Sequence, residues 1–363
     1  MVSGTVAGPV LFVTWAGGGN VNPVLALAPR LAAHGVPVAV YGPPSLAPGF
    51  AAVGVPYGAR DTADEWDPVT LATDVRAECA RVGAAVAVVD YMLPAALVGT
   101  EAAGVTTVAL VHTLYGSLLD GSGVPGPMGS FAPLAGVRKA RSSLGLGPVD
   151  GLADLLGGCA RVLVTCPPAF DERPESWAAN VRHVGPVLEP AGPDAGWRPP
   201  PGHDPLVVVS LGTTPMGEEV VLQALLDALA GDPVRVLAQV GDHVDRAGLT
   251  APANATVAGY VRHAAVLLHA AVAVNHGGLG SVMTAAAHGV PQVCVPQGRE
   301  QPYNARAVGR AGVGIGLPIG AGGDHGRDAV RSVLADPAYG AAARALAATI
   351  DPAAAEREVL GLL

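Results

Sequence analysis

An apolar, strand-like run, Val272-Ala-Val-Asn275, leads directly into His276-Gly-Gly-Leu-Gly-Ser281 and then into an alanine-rich stretch reaching about His288. That order places a glycine-rich turn at the start of a helix, where unpaired N–H groups carry a partial positive charge of roughly half a unit. Gly277, Gly278 and Gly280 let the backbone approach an anion closely, and Ser281 and His276 add side-chain donors. The chemistry that fits is phosphate binding without lysine, in a chain whose only lysine is Lys139. An ordinary strand–helix turn with a structural histidine has the same appearance. The segment is neither a dinucleotide fingerprint nor a P-loop, since no Gly-Lys-Ser/Thr occurs.

The neighbouring residues add polar chemistry. Pro296-Gln-Gly-Arg-Glu-Gln-Pro-Tyr-Asn304 follows the next strand-like run. Glu300 accepts and Gln301 both donates and accepts, a suitable pair for vicinal sugar hydroxyls. A polar loop capping a helix that starts near Pro302 is the plainer alternative. Upstream, Tyr260, Val261 and His263 follow the Thr256–Gly259 run, where a ring can stack on a base or simply open a helix. In the first half, Asp90 closes Val86–Asp90 and His112 closes Thr106–His112. A carboxylate and an imidazole at strand ends are candidate general bases, against the alternatives of a helix cap and a structural histidine.

The elements that position these residues follow from hydrophobic patterning. Strands are expected at Val10–Trp15, Val36–Tyr41, Val86–Asp90, Thr106–His112 and Val162–Cys166, with helices between them such as Pro23–His34 and Pro94–Ala103. After a Pro-rich stretch, Leu188–Pro205, strands are expected again at Val207–Leu211, Val234–Gln239, Val272–Asn275, Gln292–Val295 and Val313–Leu317. Near-continuous apolar strands alternating with helices imply parallel sheets covered on both faces. The predicted organisation is an N-terminal domain over 1–188, a linker over 189–205, a second domain over 206–345, and a terminal helix over 346–363 able to pack back on the first. Two α/β domains imply a cleft, with ligands off the carboxyl ends of the strands.

Composition narrows the classes. The chain has 363 residues, half of them hydrophobic, and a net charge of −9. No cationic cluster exists to displace phosphate counterions, which argues against nucleic acid and against an anionic membrane surface. Cys79, Cys159, Cys166 and Cys294 have no paired or zinc-type spacing and read as buried thiols of a reduced compartment. No apolar run is long enough to span a membrane and no secretory leader stands out, so a cytoplasmic location is expected.

Together these residues resemble the signature of family 1 glycosyltransferases, which include plant secondary-metabolite and bacterial antibiotic enzymes. The family pattern has an aromatic residue followed three later by Gln, then Leu-x-His. After six more residues comes His-x-Gly-x-x-Ser, and later Pro with an acid–Gln pair. Tyr260 takes the aromatic place, His263 replaces the Gln, Leu267-Leu268-His269 fits Leu-x-His, and His276, Gly278 and Ser281 are in register. Pro296 and Glu300-Gln301 complete a match of about 45 residues, and Ser210-Leu-Gly212-Thr213 lies where the family has a phosphate-side loop.

The resemblance implies a GT-B fold, two Rossmann-like α/β domains with parallel sheets facing each other across a cleft. It implies that Tyr260 stacks on the base, His276 and Ser281 bind the pyrophosphate, and Glu300 and Gln301 hold the sugar. The family's ribose-binding Glu is replaced by Thr284, which is compatible with a deoxyribose donor such as a dTDP-sugar. In the N-terminal half, Phe12 to Ala28 follows the family's strand, Gly-His-x-x-Pro loop and helix, but the general-base His is replaced by Asn20, between Gly19 and Pro23. An amide cannot take a proton. Asp90 aligns with that histidine's supporting acid and is the first candidate replacement; His112 is the second.

The implied activity is inverting, metal-independent sugar transfer from a dTDP- or UDP-linked co-substrate to a small acceptor, with no further cofactor and no metal site. No Asp-x-Asp triplet occurs. Leu118–Pro133, with Met128 and Phe131, has the composition of an acceptor loop; with Trp15, Gly19, Tyr57, Trp66, Met92 and Tyr115 it suggests an apolar or aromatic acceptor, core packing being the plainer reading of Met92. Two rivals share the features: a sugar-nucleotide epimerase on the same fold and a non-catalytic nucleotide-binding auxiliary protein. The oligomeric state is open, a homodimer included.

Overall fold

The computed structural model describes residues 8–60, 66–116, 134–171, 178–188, 197–212, 216–259 and 261–363. The chain divides into two compact units, one of Met1–Pro168, Glu172–Glu189 and Asp351–Leu363, the other of Ala169–Asp171 and Pro190–Ile350.

The first unit holds a seven-stranded sheet: β1 (Val10–Val13), β2 (Val38–Gly42), β3 (Tyr57–Ala59), β4 (Val86–Asp90), β5 (Thr106–Val111), β6 (Arg161–Val164) and β7 (Val181–His183). The strands pair in the order β3-β2-β1-β4-β5-β6-β7, all parallel. The second holds β8 (Leu206–Ser210), β9 (Arg235–Gln239), β10 (Ala255–Ala258), β11 (Val272–Asn275), β12 (Gln292–Cys294) and β13 (Gly314–Gly316), parallel in the order β10-β9-β8-β11-β12-β13.

Burial explains the central strands. Every residue of β1, β4 and β11 is buried, as a strand covered by helices on both faces requires. The strands absent from the sequence reading are β3, β7 and β10, three or four residues long and half exposed at or near a sheet edge, so no apolar run marks them. Helices begin where proline supplies a preset φ, as at Pro23, Pro68, Pro94, Pro302 and Pro337. Helices Pro68–Val82 and Pro94–Ala102 pack so closely that a Cβ on Gly99 would lie 2.4 Å from the Ala72 carbonyl oxygen.

Two boundary regions are more structured than their composition suggests. Trp197, in the Pro-rich stretch, packs with Leu206, Val208, Leu237 and Val266, and its ring lies 5.6 Å from that of His269. The last helix, Ala354–Leu360, buries Ala355 and Val359 in the core of the first unit with Leu27 and Leu31. Arg30 Nη1 donates to the Pro352 carbonyl at 2.7 Å, and His34 pairs with Glu356. All four cysteines are buried thiols; burial pushes Cys79 up to about 11 and Cys159 up to about 12. No helix among the described residues is long and apolar enough to cross a membrane.

Candidate active site

Strand order decides where ligands can sit. In an open parallel sheet the crevice forms where consecutive connections leave in opposite directions. In the first sheet the chain runs outward from β1 to β2 and β3, then returns to place β4 on the other side of β1. The second sheet repeats this, with β8 to β9 and β10 one way and β11 on the other side of β8. The residues singled out by sequence fall at these two places. Asn20 and Asp90 follow or close β1 and β4, while Ser210 closes β8 and His276 follows β11.

In the second unit, the turn after β11 is pinned by buried amides. Asn275 Oδ1 accepts the Gly277 N–H at 2.8 Å, Asn275 Nδ2 donates to Gln292 Oε1 at 2.9 Å, and Asn304 Nδ2 donates to the Gly277 carbonyl at 2.8 Å. Gly277 has φ 84°, and a Cβ there would lie 2.9 Å from the Gln301 carbonyl. Helix Leu279–Ala287 follows, and its first intrahelical bond, Val282 N–H to the Gly278 carbonyl, is 3.0 Å. The N–H groups of Leu279, Gly280 and Ser281 precede that bond and carry the positive end of the helix. Gly280 is exposed, with open space where a side chain would be.

The His276 ring occupies a slot that only glycines permit. A Cβ on Gly278 would lie 2.4 Å from its Nε2, and one on Gly212 would lie 3.1 Å from its Cε1. Its Nδ1 is buried with no hydrogen-bond partner among the described residues. Burial, reinforced by the adjacent His263 and by Arg299 and opposed by Glu218, pushes the imidazole down to about 4. The ring is therefore neutral at pH 7. His263, also lowered by burial and by His288, places Nε2 3.1 Å from the Ser210 hydroxyl, so the residue in the family's Gln position contacts the β8 end. Val261 contributes its carbonyl to Gln239 Nε2 at 2.9 Å. Thr284 turns its hydroxyl back to the Gly280 carbonyl at 2.7 Å, within its own helix. Thr213 and Tyr260 lie outside the described residues.

Gln301 has a different environment from that of an open sugar ligand. It is 2 % exposed, its Oε1 accepts the N–H groups of Gln297 at 2.8 Å and Gly298 at 3.2 Å, and its Nε2 points to Met216 Sδ at 3.4 Å. In this structure it shapes the loop, and the partly buried Glu300 stands at the start of helix Gln301–Arg310. Arg299, between them and Gly298, is exposed and is the one described non-glycine residue with positive φ, 54°.

Sequence reasoning missed Glu218 and His243, a buried carboxylate paired with an exposed histidine. Glu218 also accepts the Met216 N–H at 2.8 Å. Burial pushes its carboxyl up, but the His243 and backbone bonds outweigh that and hold it below the usual range. The only sequence signal was an acidic start to helix Glu218–Ala228 after β8. At the carboxyl ends of β9 and β10, an open hollow of about 610 Å³ is lined by Gly241, His243, Asp245, Arg246 and Gly259 among others.

In the first unit, Asp90 is the hub. It is 1 % exposed; Oδ2 accepts Asn20 Nδ2 at 2.9 Å, and Oδ1 accepts the Met92 N–H and His112 Nε2, each at 2.9 Å. Asn20 also donates to the Trp15 carbonyl at 2.9 Å and accepts the Gly17 N–H at 3.1 Å. Trp15 meets Trp66 edge-on at 5.5 Å, and Gly19 is exposed. Met92 is only partly buried, whereas Tyr115, 3 % exposed, belongs to the interior and offers no open face. Met128 and Phe131 lie outside the described residues.

Comparison with known proteins agrees with this picture. Residues 223–362 match the family described as erythromycin biosynthesis protein CIII-like, C-terminal domain. The chain is 34 % identical over 177 residues to 4′-demethylrebeccamycin synthase of Lentzea aerocolonigenes, an alignment covering 47 % of this chain and 42 % of that protein. It is 35 % identical over 179 residues to a PGL/p-HBAD biosynthesis glycosyltransferase of Mycobacterium tuberculosis, covering 48 % and 40 %. The chain thus spans about two-fifths of the length of these curated relatives. Over its whole length it superimposes on the glycotransferase of kitacinnamycin with a TM-score of 0.82 at 23 % identity, covering 98 % of this chain and 99 % of that one. Superposition on the glycosyltransferase VinC, crystallised with dTDP, gives 0.76 at 19 % identity with the same coverage. The chain therefore has a GT-B fold, and its C-terminal segment, residues 223–362, matches the erythromycin biosynthesis protein CIII-like C-terminal domain.

Proposed function

We propose that this protein transfers a sugar from a nucleotide diphosphate to a small apolar or aromatic acceptor, with inversion at the anomeric carbon and without a metal ion. The observation that carries the reading is the His276 slot. A neutral histidine whose buried Nδ1 has no partner among the described residues is held by two glycines beside the N-terminus of helix Leu279–Ala287, at the topological switch of its sheet. An unsatisfied buried polar atom costs about 1–3 kcal/mol, and a ligand that satisfies it recovers that cost.

The donor's diphosphate takes the N–H groups of Leu279, Gly280 and Ser281, the Ser281 hydroxyl and His276, with Gly212 on the other side. The nucleoside lies over the ends of β9 and β10, against Val261 and the hollow lined by His243 and Arg246. Glu300 holds the sugar, and Gln301 supports the loop that presents it. In the transfer, the acceptor atom forms a bond to the anomeric carbon from the face opposite the diphosphate. The bond to the β-phosphate oxygen breaks with its electron pair staying on that oxygen. Preorganised donors aimed at this developing charge are each worth about 3–4 kcal/mol in a dry site.

The dTDP form of the donor is favoured over UDP because Thr284 keeps its hydroxyl within its own helix and offers no carboxylate to a ribose diol. The dTDP bound to the structural relative VinC supports the same choice. Thermal-shift measurements with dTDP and UDP, followed by turnover of dTDP- and UDP-sugars with and without an acceptor, test the reading. Acceptor-dependent nucleotide release, unaffected by EDTA, is expected; donor conversion without acceptor points to an epimerase instead.

A further inference from the structure

The chain places an arginine where a turn asks for glycine. After β12, the Gln301 N–H donates to the Gly298 carbonyl at 3.2 Å, closing a four-residue turn with Arg299 and Glu300 at its centre. Arg299 has φ 54° and Glu300 −77°, the sign pattern of a primed turn whose first central place suits glycine. In the left-handed region the Cβ of an arginine crowds its own backbone, and such strain persists only where the surroundings fix it. They do so here, because the buried Gln301 also takes the N–H groups of Gln297 at 2.8 Å and Gly298 at 3.2 Å on its Oε1.

The side chain held in this way is unpaired. Arg81, Arg141, Arg161 and Arg331 each meet a carboxylate. Arg299 is exposed, and its guanidinium makes no hydrogen bond or ion pair among the described residues. Its position is fixed by the sheet. β12 adjoins β11, and the helix that follows the Arg299 turn grips the turn after β11: Asn304 Nδ2 donates to the Gly277 carbonyl at 2.8 Å, and a Cβ on Gly277 would lie 2.9 Å from the Gln301 carbonyl. The guanidinium charge reaches the His276 ring, where it adds to burial and to His263 in keeping that imidazole low. His276 therefore brings no charge of its own to an anion, whereas the neighbouring turn brings one. In the order β10-β9-β8-β11-β12, that turn is on the side away from β9 and β10, where the nucleoside is placed.

We infer that Arg299 is a donor-binding cation that pairs with the distal phosphate of the nucleoside diphosphate. The inference rests on the donor reading given above. A guanidinium–phosphate pair is charge-assisted and can be bidentate, so a cation on this side distinguishes a diphosphate from a monophosphate. The strained turn is what aims it.

Calorimetric titration of dTDP and dTMP into the wild type, Arg299→Gln and Arg299→Gly at pH 7.5 tests this. Arg299→Gln should weaken dTDP binding at least about tenfold and dTMP binding less than about twofold, and flatten the salt dependence for dTDP. Arg299→Gly, which relieves the turn, should weaken dTDP to the same extent and unfold at no lower urea concentration than the wild type. Unchanged dTDP affinity in either variant, or an equal loss for dTMP, would overturn the assignment. A loss of affinity seen only alongside a loss of stability would mark Arg299 as structural and overturn it too. A wild type that binds neither nucleotide would instead overturn the donor reading.

Discussion

The two switch points of this molecule have the same topology and opposite hydrogen-bond economies. At the β1/β4 switch every polar group of Asn20 and Asp90 is engaged, in a closed network of side chains and turn backbone. At the β8/β11 switch the backbone of the turn is pinned just as firmly, yet His276 Nδ1 and the first N–H groups of the following helix have no partners among the described residues. The difference fits the function proposed for the second switch: a site for an anion needs donors that the protein itself leaves unused.

Several substitutions sharpen this contrast. Removing the imidazole with His276→Ala should cost the largest amount, on the order of a hundredfold or more in kcat, read in steady-state transfer assays. Near-normal turnover would break the donor half of the comparison. Gly278→Ala should approach that effect, at roughly thirtyfold to a hundredfold, because its Cβ would lie 2.4 Å from His276 Nε2 and push the ring from its slot. On the other side, Asn20→Ala should lower stability by about 1–3 kcal/mol, read in urea unfolding, because it takes one donor from the buried Asp90 carboxylate. Thr284→Glu, restoring an acid beside the nucleoside, should raise the preference for UDP over dTDP by several-fold in competitive binding.

The buried histidine also predicts a pH dependence of folding. Its folded-state pKa of about 4 lies below the ordinary 6.5, so the folded protein binds fewer protons than the unfolded chain between those values. The stability tied to the neutral ring is complete above pH 6.5 and is lost as the pH falls towards 4, by at most about 3 kcal/mol. Urea midpoints of the wild type should therefore fall more steeply from pH 7 to 5 than those of His276→Gln.

Much of this was legible in the sequence because it rests on local patterns. β4 and β11 begin and end where their apolar runs do, and the glycine turn after β11 opens the expected helix. Edge strands β3 and β10 were not legible, since they are half exposed and too short to give a period. Glu218 and His243 meet from positions 25 residues apart, which no local motif records. Gln301 shows the other limit: its place in the motif was plain, but its bonds to Gln297, Gly298 and Met216 depend on how the loop closes over it. Asn20 stood out as a departure from the family pattern, while its place in one hydrogen-bonded cluster with Asp90 and His112 emerged only from the order β1-β4-β5.

The central claim is that the β8/β11 switch holds a nucleoside diphosphate through His276. Calorimetric titration of dTDP into the wild type and into His276→Ala at pH 7.5 tests it without knowledge of sugar or acceptor. Stoichiometric binding by the wild type, weakened at least about tenfold in the variant, is the predicted result. Equal affinity in the two proteins, or no binding by the wild type, would contradict it.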